Sequence, residues 1–564
     1  MRLNRTFRQR SVKSGETGRL LLEILEDRTL PSVNLLSTAE GTNSSEASCN
    51  CQPPDPDAAV GPTTVVTTVN LAIAYYDKAS NNRLFLQPLR EFFGPVRPGS
   101  FLSDPVVTYD DQAGRFVVGL LDIDTTGQHG YFELAVSDTS DPMDGFAEMH
   151  KIDITEVLPD GRRLWGDYPK LGYNADAYFI TLNMHIFFDT TNPDHPQIVT
   201  VDKASVLDKD PSTLVLYSAD LPGGVYAPAA ATMHDTMPGD PMYFVQEATR
   251  FGGDSMRVIQ MTDVLSEKPN FQNFEIPVDS YQRPPNAVHP GGTIQTFESF
   301  VLNADWRGNR LVATHHIGAS GVVHARWYEF DTSGNAPALT QSGDIDQGPG
   351  VYTYFEAIAI ADNGDLGMTF MESSAQENVS MYVTGQQAGD PPGTMQPAIV
   401  THPGQNHYPG VRGGDYSGIT EDPDTGSTFW AFSMYKPAVP FWGTGLANFE
   451  LQTEGRPGRA ARHQAGSPVS SAKRAPLFIG LVAPGAAVQT SPMIPNDERA
   501  GTLPGIRVDQ FITDAVEGWA SSSAAKSATE RPVSPYSDVP ASLQDHPAVD
   551  ISIFDLRQNS ECSI

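Results

Sequence analysis

The stretches DLGMTF (365–370) and DTGSTF (424–429) share the pattern D-x-G-x-T-F and lie 59 residues apart. Each follows an apolar, β-like run, Ala357-Ile358-Ala359-Ile360 in one case and Ser417-Gly418-Ile419-Thr420 in the other, and each leads into a second such run. In a turn, Asp bonds nearby backbone N–H groups, Gly supplies a positive φ, and Thr-Phe re-enters the sheet. A hairpin turn recurring at about this interval predicts a radial array of small sheets, a β-propeller.

Working outward, further unit starts fall at Asp57, Asp104, Asp167, Tyr226, Glu298, Glu356 and Asp415. The spacing predicts seven somewhat long blades over residues 53–452, since a four-stranded blade takes roughly forty to sixty residues with its loops. A solenoid is the alternative, although its repeats are usually shorter. The first interval is short, as expected if strands from both chain ends complete one terminal blade. GTGLANFELQ (443–452) is the candidate for the missing strand of the first blade. The predicted fold class is therefore all-β, a seven-bladed propeller with flexible N- and C-terminal appendages. The predicted domains are 1–32 (export or sorting segment), 33–52 (linker), 53–452 (propeller) and 453–564 (low-complexity, largely disordered tail).

The composition agrees with a turn-rich β body, with 49 Gly, 45 Pro and 39% hydrophobic residues in 564. Net charge is −31, while the first nineteen residues run the other way with six Lys/Arg against one Glu. So acidic a surface argues against nucleic-acid binding, which rests on phosphate neutralisation, and against docking on anionic lipid. It suits solubility, cationic partners or Ca²⁺. Three cysteines, Cys49, Cys51 and Cys562, allow one disulfide but no framework of them. No stretch is apolar and long enough to read as a transmembrane helix.

The acid at the head of six units, Asp57, Asp104, Asp167, Glu298, Glu356 and Asp415, carries the first chemical expectation. On a propeller's innermost strands these carboxylates would converge on one channel rim. Crowded carboxylates raise one another's pKa unless a cation compensates, so the ring is a candidate Ca²⁺ site. Alternatively, each acid caps its own strand or bonds the next blade's backbone. His315, His316 and His324 make an incomplete metal set and read as packed or surface residues. Trp165 and Trp430 could form sugar platforms at one rim, or core.

Three resemblances follow from particular residues. LEILEDRTLPS (22–32) resembles the L-E-x-L-E-D-R-x-L-x-S segment of predicted exported planctomycete proteins, which implies an exported, periplasmic or cell-surface protein. The two D-x-G-x-T-F turns resemble the Asp-box of sialidases and related propellers, with Asn363 and Asp422 in place of its leading Ser/Thr. In that family the box is structural and lies on outer turns. FEIP (274–277) is the nearest match to the sialidase F/Y-R-I-P segment, but Glu275 stands where the family has its substrate-binding Arg, so no catalytic residue carries over. Finally, PPDPDAAVGP (53–62), SDPVVTYD (103–110) and GDYSG (414–418) resemble an uncharacterised family of bacterial secreted proteins, a likeness that implies the fold and no reaction. The expected function is a non-enzymatic exported propeller that binds a protein or a glycan. The alternatives are a sialidase-like glycoside hydrolase using the rim carboxylates and a Ca²⁺-stabilised structural propeller.

Overall fold

The computed structural model describes residues 32–99, 101–189, 193–207, 214–221, 226–249 and 251–452. The export-type segment before Ser32 and the tail after Gln452 lie outside the described residues. The described chain is almost wholly β.

The first strand, β1 (Ser32–Asn43), is followed by a meander of β2 (Asp57–Val60), β3 (Thr64–Val69), β4 (Ala72–Asp77) and β5 (Arg83–Pro88). A second meander contains β6 (Phe101–Asp110), β7 (Arg115–Asp124), β8 (His129–Val136) and β9 (Glu148–Asp153). After the two-residue β10 (Glu156–Val157) comes a third, β11 (Arg163–Tyr173), β12 (Ala177–Ile186), β13 (His195–Asp202) and β14 (Leu216–Asp220). Next are β15 (Ala229–Met233), β16 (Met242–Glu247), β17 (Gly252–Thr262) and β18 (Asn270–Gln282). A small hairpin, β19 (Ala287–His289) and β20 (Gly292–Ile294), precedes β21 (Val301–Arg307), β22 (Arg310–Ala319), β23 (Val322–Asp331) and β24 (Ala338–Asp344). A further meander comprises β25 (Val351–Ile360), β26 (Leu366–Ser374), β27 (Ser380–Gln386) and β28 (Ile399–His402). The chain closes with β29 (Gly418–Glu421), β30 (Thr428–Tyr435) and β31 (Gly443–Gln452). Successive strands within each meander are antiparallel, and short parallel contacts join β11 to β15 and β15 to β21.

Most of these strands are apolar on both faces, as in TVVTTV (Thr64–Val69), because each sheet is covered on both sides by its neighbours. Ala59, Val66 and Tyr75 pack with Val107, Phe116 and Val118. Val117 and Leu134 pack with Ile180 and Val199, and Phe179 with Phe244, Ala313 and Tyr328. Val312 and Trp327 meet Ile358 and Met368, and Met381 and Val383 meet Phe429 and Ala447. The last sheet then returns to the first, with Phe432 and Leu446 in one core with Val65 and Tyr76. Face-to-face packing that passes through every meander and comes back to its start is propeller-like. At the return point a Cβ on Gly418 would lie 2.3 Å from the backbone nitrogen of Ala58, so only glycine fits there. The innermost strands surround a cavity of ≈ 90 Å³ lined by residues of β2, β6, β11, β15, β21, β25 and the β29 segment.

Three sequence expectations need correction. Residues 33–52 are not a linker: Ser32–Asn43 is the outermost strand of the closing sheet, ordered β1-β31-β30-β29. Its pairing runs from Ser32↔Gln452 to Asn43↔Gly443, supported by Asn34 Nδ2 donating to Glu450 Oε1 at 2.9 Å. The residues after it are also fastened, with Cys49 and Cys51 joined in a buried disulfide and Trp442 Nε1 donating to the Cys51 carbonyl at 2.9 Å. Consequently Gly443–Gln452 does not complete the first meander; it sits between β30 and β1 in the last.

The third correction concerns the two D-x-G-x-T-F stretches, which are offset in the fold. Phe429 closes its hairpin opposite Glu421, with Gly426 in the turn at φ +62°. In the other stretch Leu366 closes the hairpin, the left-handed turn residue is Gly364, and Gly367 lies inside β26 beneath the Phe429 ring. Both turns join an innermost strand to its neighbour, so neither occupies the outer turn of an Asp-box. The recurrence marked the right interval through residues that are not structurally equivalent.

Deleting residues up to Asn43 leaves the edge of β31 unpaired. The truncated chain is expected to melt well below the full chain, and a synthetic 32–43 peptide is expected to restore part of the loss in a thermal melt.

Candidate functional site

Just ahead of the innermost strands or within their first halves the backbone repeats an uncommon feature. Asp55, Asp104, Tyr168, Phe297, Phe355 and Asp415 all have φ between +48° and +65°. A non-glycine residue there is strained by roughly 1–2 kcal/mol, and such residues gather where function or tight packing over-determines them. In β6, β11 and β25 the left-handed residue coincides with a register shift between strand pairs, so a bulge redirects the following side chains. Pro56, Pro105 and Pro169 follow three of the six.

Measured from that residue, the six predicted acids are not equivalent. Asp104 and Asp415 occupy the left-handed position itself, and Asp167 precedes it by one. Glu298 and Glu356 follow it by one, and Asp57 follows by two. Their partners differ. Asp57 accepts the N–H of Ala58 at 2.8 Å and that of Val107 in the next sheet at 2.9 Å. Asp167 lies 3.9 Å from His185 Nε2. Glu298 accepts the Tyr226 hydroxyl at 2.6 Å and lies 3.8 Å from Arg283. Glu356, fully buried, faces His316 Nδ1 at 3.7 Å. Among the described residues, none of the six belongs to a set of three ligand atoms within 4.8 Å of one another.

What the fold does assemble is a buried knot of charge that sequence reading half found. Asp104 and Asp415 are joined by Asp55 and by Arg412, whose side chain is 1% exposed. Arg412 Nη2 pairs with Asp415 and its guanidinium lies 5.0 Å over the Phe297 ring. Asn70 bridges two of the acids: its Nδ2 donates to Asp55, and its Oδ1 accepts the Asp104 N–H at 3.1 Å. Tyr416 donates to Asp104 at 3.2 Å and Tyr168 to the Asp415 carbonyl at 2.8 Å, with the two rings 4.9 Å apart. Burial pushes the Asp55 carboxyl well up, and the neighbouring Asp104 and Asp415 add to it against the pull of Arg412 and Asn70. Burial likewise raises Asp104 and Asp415, opposed most by Ser103 in the first and Arg412 in the second. The missed member Asp55 carried a readable signal, since Asp55-Pro56 repeats the Asp104-Pro105 pair. Arg412 carried none.

The opposite end of the innermost strands is tied by another network. His234, buried, lies 2.8 Å from Asp111 and 3.2 Å from Asp305. Arg307 pairs with Glu421 and, at 2.8 Å, with Asp235. Burial opposes the imidazolium of His234, but Asp305 and Asp111 outweigh it and carry its pKa up to about 10. His315 and His316 are core residues: His315 lies between the Ser299 carbonyl at 3.2 Å and the Tyr328 hydroxyl at 2.8 Å, and burial takes it down to about 3. Trp165 and Trp430 are buried, and FEIP lies on the outermost strand β18, where Glu275 is 3.2 Å from Arg257.

No protein-family model and no curated protein matches the chain. Solved structures similar to it include an endosialidase of phage phi92, at 7% identity over 85% of this chain and 81% of that one, TM-score 0.39. Drosophila Semaphorin 1b, extracellular domains 1-2, aligns at 8% identity over 74% and 86%, TM-score 0.34. An alpha-L-arabinofuranosidase from Fusarium graminearum aligns at 9% identity over 74% and 97%, TM-score 0.34. At these values the likenesses add nothing to what pairing and packing show, and they transfer no activity.

Two outcomes are expected. Arg412→Met leaves three buried carboxylates facing one another and costs about 3–5 kcal/mol at neutral pH; in urea denaturation the loss shrinks on lowering the pH to 4.5, because burial favours protonation of these aspartates. An equal loss at both pH values would assign the effect to packing. Burial carries Asp57 from 3.8 up to about 7, so the folded state keeps a proton that the unfolded chain releases, and stability falls as pH rises from about 4 to 7. His234 adds stability that is full below about 6.5 and is lost as pH rises through about 10. The two contributions are read as differences from the parent chain: Asp57→Asn is expected to remove the pH dependence between about 4 and 7, and His234→Gln that between about 6.5 and 10, in thermal melts across pH.

Proposed function

We propose that the chain is a seven-bladed β-propeller, exported or displayed at the cell surface, that acts as a binding module for a protein or a glycan. The blade count follows from reading each four-stranded meander as one blade, the last completed by β1. The observation that carries the binding reading is the fate of the rim carboxylates: they are turned inward onto arginine, tyrosine, histidine and backbone N–H groups. A glycosidase needs two carboxyls facing one sugar at about 5–5.5 or 6.5–9.5 Å. The channel cavity, ≈ 90 Å³, is also small beside the roughly 300–1,000 Å³ of ligand pockets.

In this reading the strand-entry face is the binding face. Each second strand ends beside the start of the innermost strand, so the turns that follow second strands lie at the entry end. Phe188 after β12, Phe251 between β16 and β17, and Val439 between β30 and β31 are 64%, 60% and 83% exposed. Val411, 44% exposed, lies on the segment entering β29. Exposed aromatic and aliphatic groups on one rim suit stacking on sugar rings or an apolar protein contact. Export rests on the N-terminal resemblance; no helix among the described residues is long and apolar enough to cross a membrane.

The test pairs a printed glycan array with hydrolysis assays on fluorogenic sialosides and arabinofuranosides, using the full chain. The expected result is array binding weakened at least tenfold by Phe188→Ala with Phe251→Ala at unchanged melting temperature, and no turnover. Turnover abolished by Asp104→Asn or Asp415→Asn would overturn the binding reading in favour of a hydrolase.

A further inference from the structure

Away from the channel, β10, β13 and β14 bring three ligand-type side chains together. Strand pairing sets Glu156 beside Leu164, His195 opposite Met184, and Asp220 opposite Gln197. Glu156 Oε2 lies 3.0 Å and Asp220 Oδ1 3.4 Å from His195 Nε2, and the three ligand atoms all fall within 4.8 Å of one another. On the other side of the ring, His195 Nδ1 is 3.1 Å from Asp194 Oδ2.

The protonation of that ring is constrained. A carboxylate only accepts, so Nδ1 carries a proton and donates it to Asp194. Nε2 then offers a lone pair to two carboxylates, which is repulsive, carries a second proton towards them, or shares a metal ion with them. Neither Nε2 nor Glu156 Oε2 reaches solvent, and neither makes a hydrogen bond despite their 3.0 Å separation. A direct N–H···O bond would place the oxygen along the ring nitrogen's axis, whereas ligands around a shared ion sit off that axis. The distances agree with the second arrangement. With metal–ligand bonds of about 2.1 Å, neighbouring ligand atoms are about 3.0 Å apart at 90° and about 3.4 Å apart at the tetrahedral angle.

We propose that Glu156, His195 and Asp220 form a site for one divalent transition-metal ion, with Asp194 fixing the imidazole from behind. One imidazole and two carboxylates suit Zn²⁺, Mn²⁺ or Fe²⁺ better than Ca²⁺, which takes oxygen ligands. A carboxylate on the far nitrogen is the usual support for a metal-bound histidine. Asp220, whose side chain is 66% exposed, leaves the remaining coordination positions open to water. The ion ties the two-residue β10 to β13 and β14, a connection the backbone does not make.

The test uses the full chain stripped with EDTA and dialysed. Titration with Co²⁺ is expected to give a visible absorption band saturating at one equivalent, and Zn²⁺ to compete for it and raise the melting temperature. Asp220→Asn, at an exposed position that tolerates the change, is expected to weaken binding at least tenfold, and His195→Asn to abolish the band. Absence of stoichiometric binding overturns the proposal, as does binding unchanged in both variants. An NMR titration showing His195 as an imidazolium, unaffected by added Zn²⁺, would also overturn it and identify the cluster as an ion pair.

Discussion

Everything in this molecule depends on the first sheet meeting the last. The inner strands of each meander are largely buried on both faces, so each sheet needs cover on two sides, and only a closed circuit covers them all. The circuit shuts in two directions at once. Face to face, Phe432 and Leu446 pack against Val65 and Tyr76, at a point tight enough to exclude a side chain at position 418. Edge to edge, β1 pairs with β31 along its length, covering an edge that would otherwise be open to pairing with another chain.

Closure also explains the charge at the two channel ends. Innermost strands that converge on an axis bring their terminal residues together, and the chain meets this with left-handed bulges and buried ion networks. At the entry end Arg412 balances three aspartates; at the exit His234 and Arg307 are held among acids. A buried pair is weak evidence for net stability. Register has a separate tie: the Asp57 carboxylate, outside both networks, accepts the Val107 N–H of the next sheet and fixes one innermost strand against its neighbour.

Much of the architecture was legible from the chain. The positions read as unit starts, 57, 104, 167, 226, 298, 356 and 415, each fall at or within six residues of an innermost strand's first residue. Acidic and apolar runs alternate with turns because the strands themselves do. The linker reading failed because Ser32–Asn43 is an edge strand whose Ser, Thr, Asn and Glu resemble loop composition. The site was legible only in part. Counting acids near each unit start ignored the bulge, which changes the facing of a side chain with every residue of offset. Arg412, His234 and the Glu156–His195–Asp220 cluster depend on contacts between segments far apart in the chain, and no local pattern announces them.

The pairing of β1 with β31 also sets an order of events. Asn34 and Glu450, which bond across that ladder, are separated by 416 residues. During synthesis the two strands emerge some four hundred residues apart, so the ring cannot close until almost all of the described residues are available. Until then the polypeptide holds a half-finished array with an uncovered apolar face at each end.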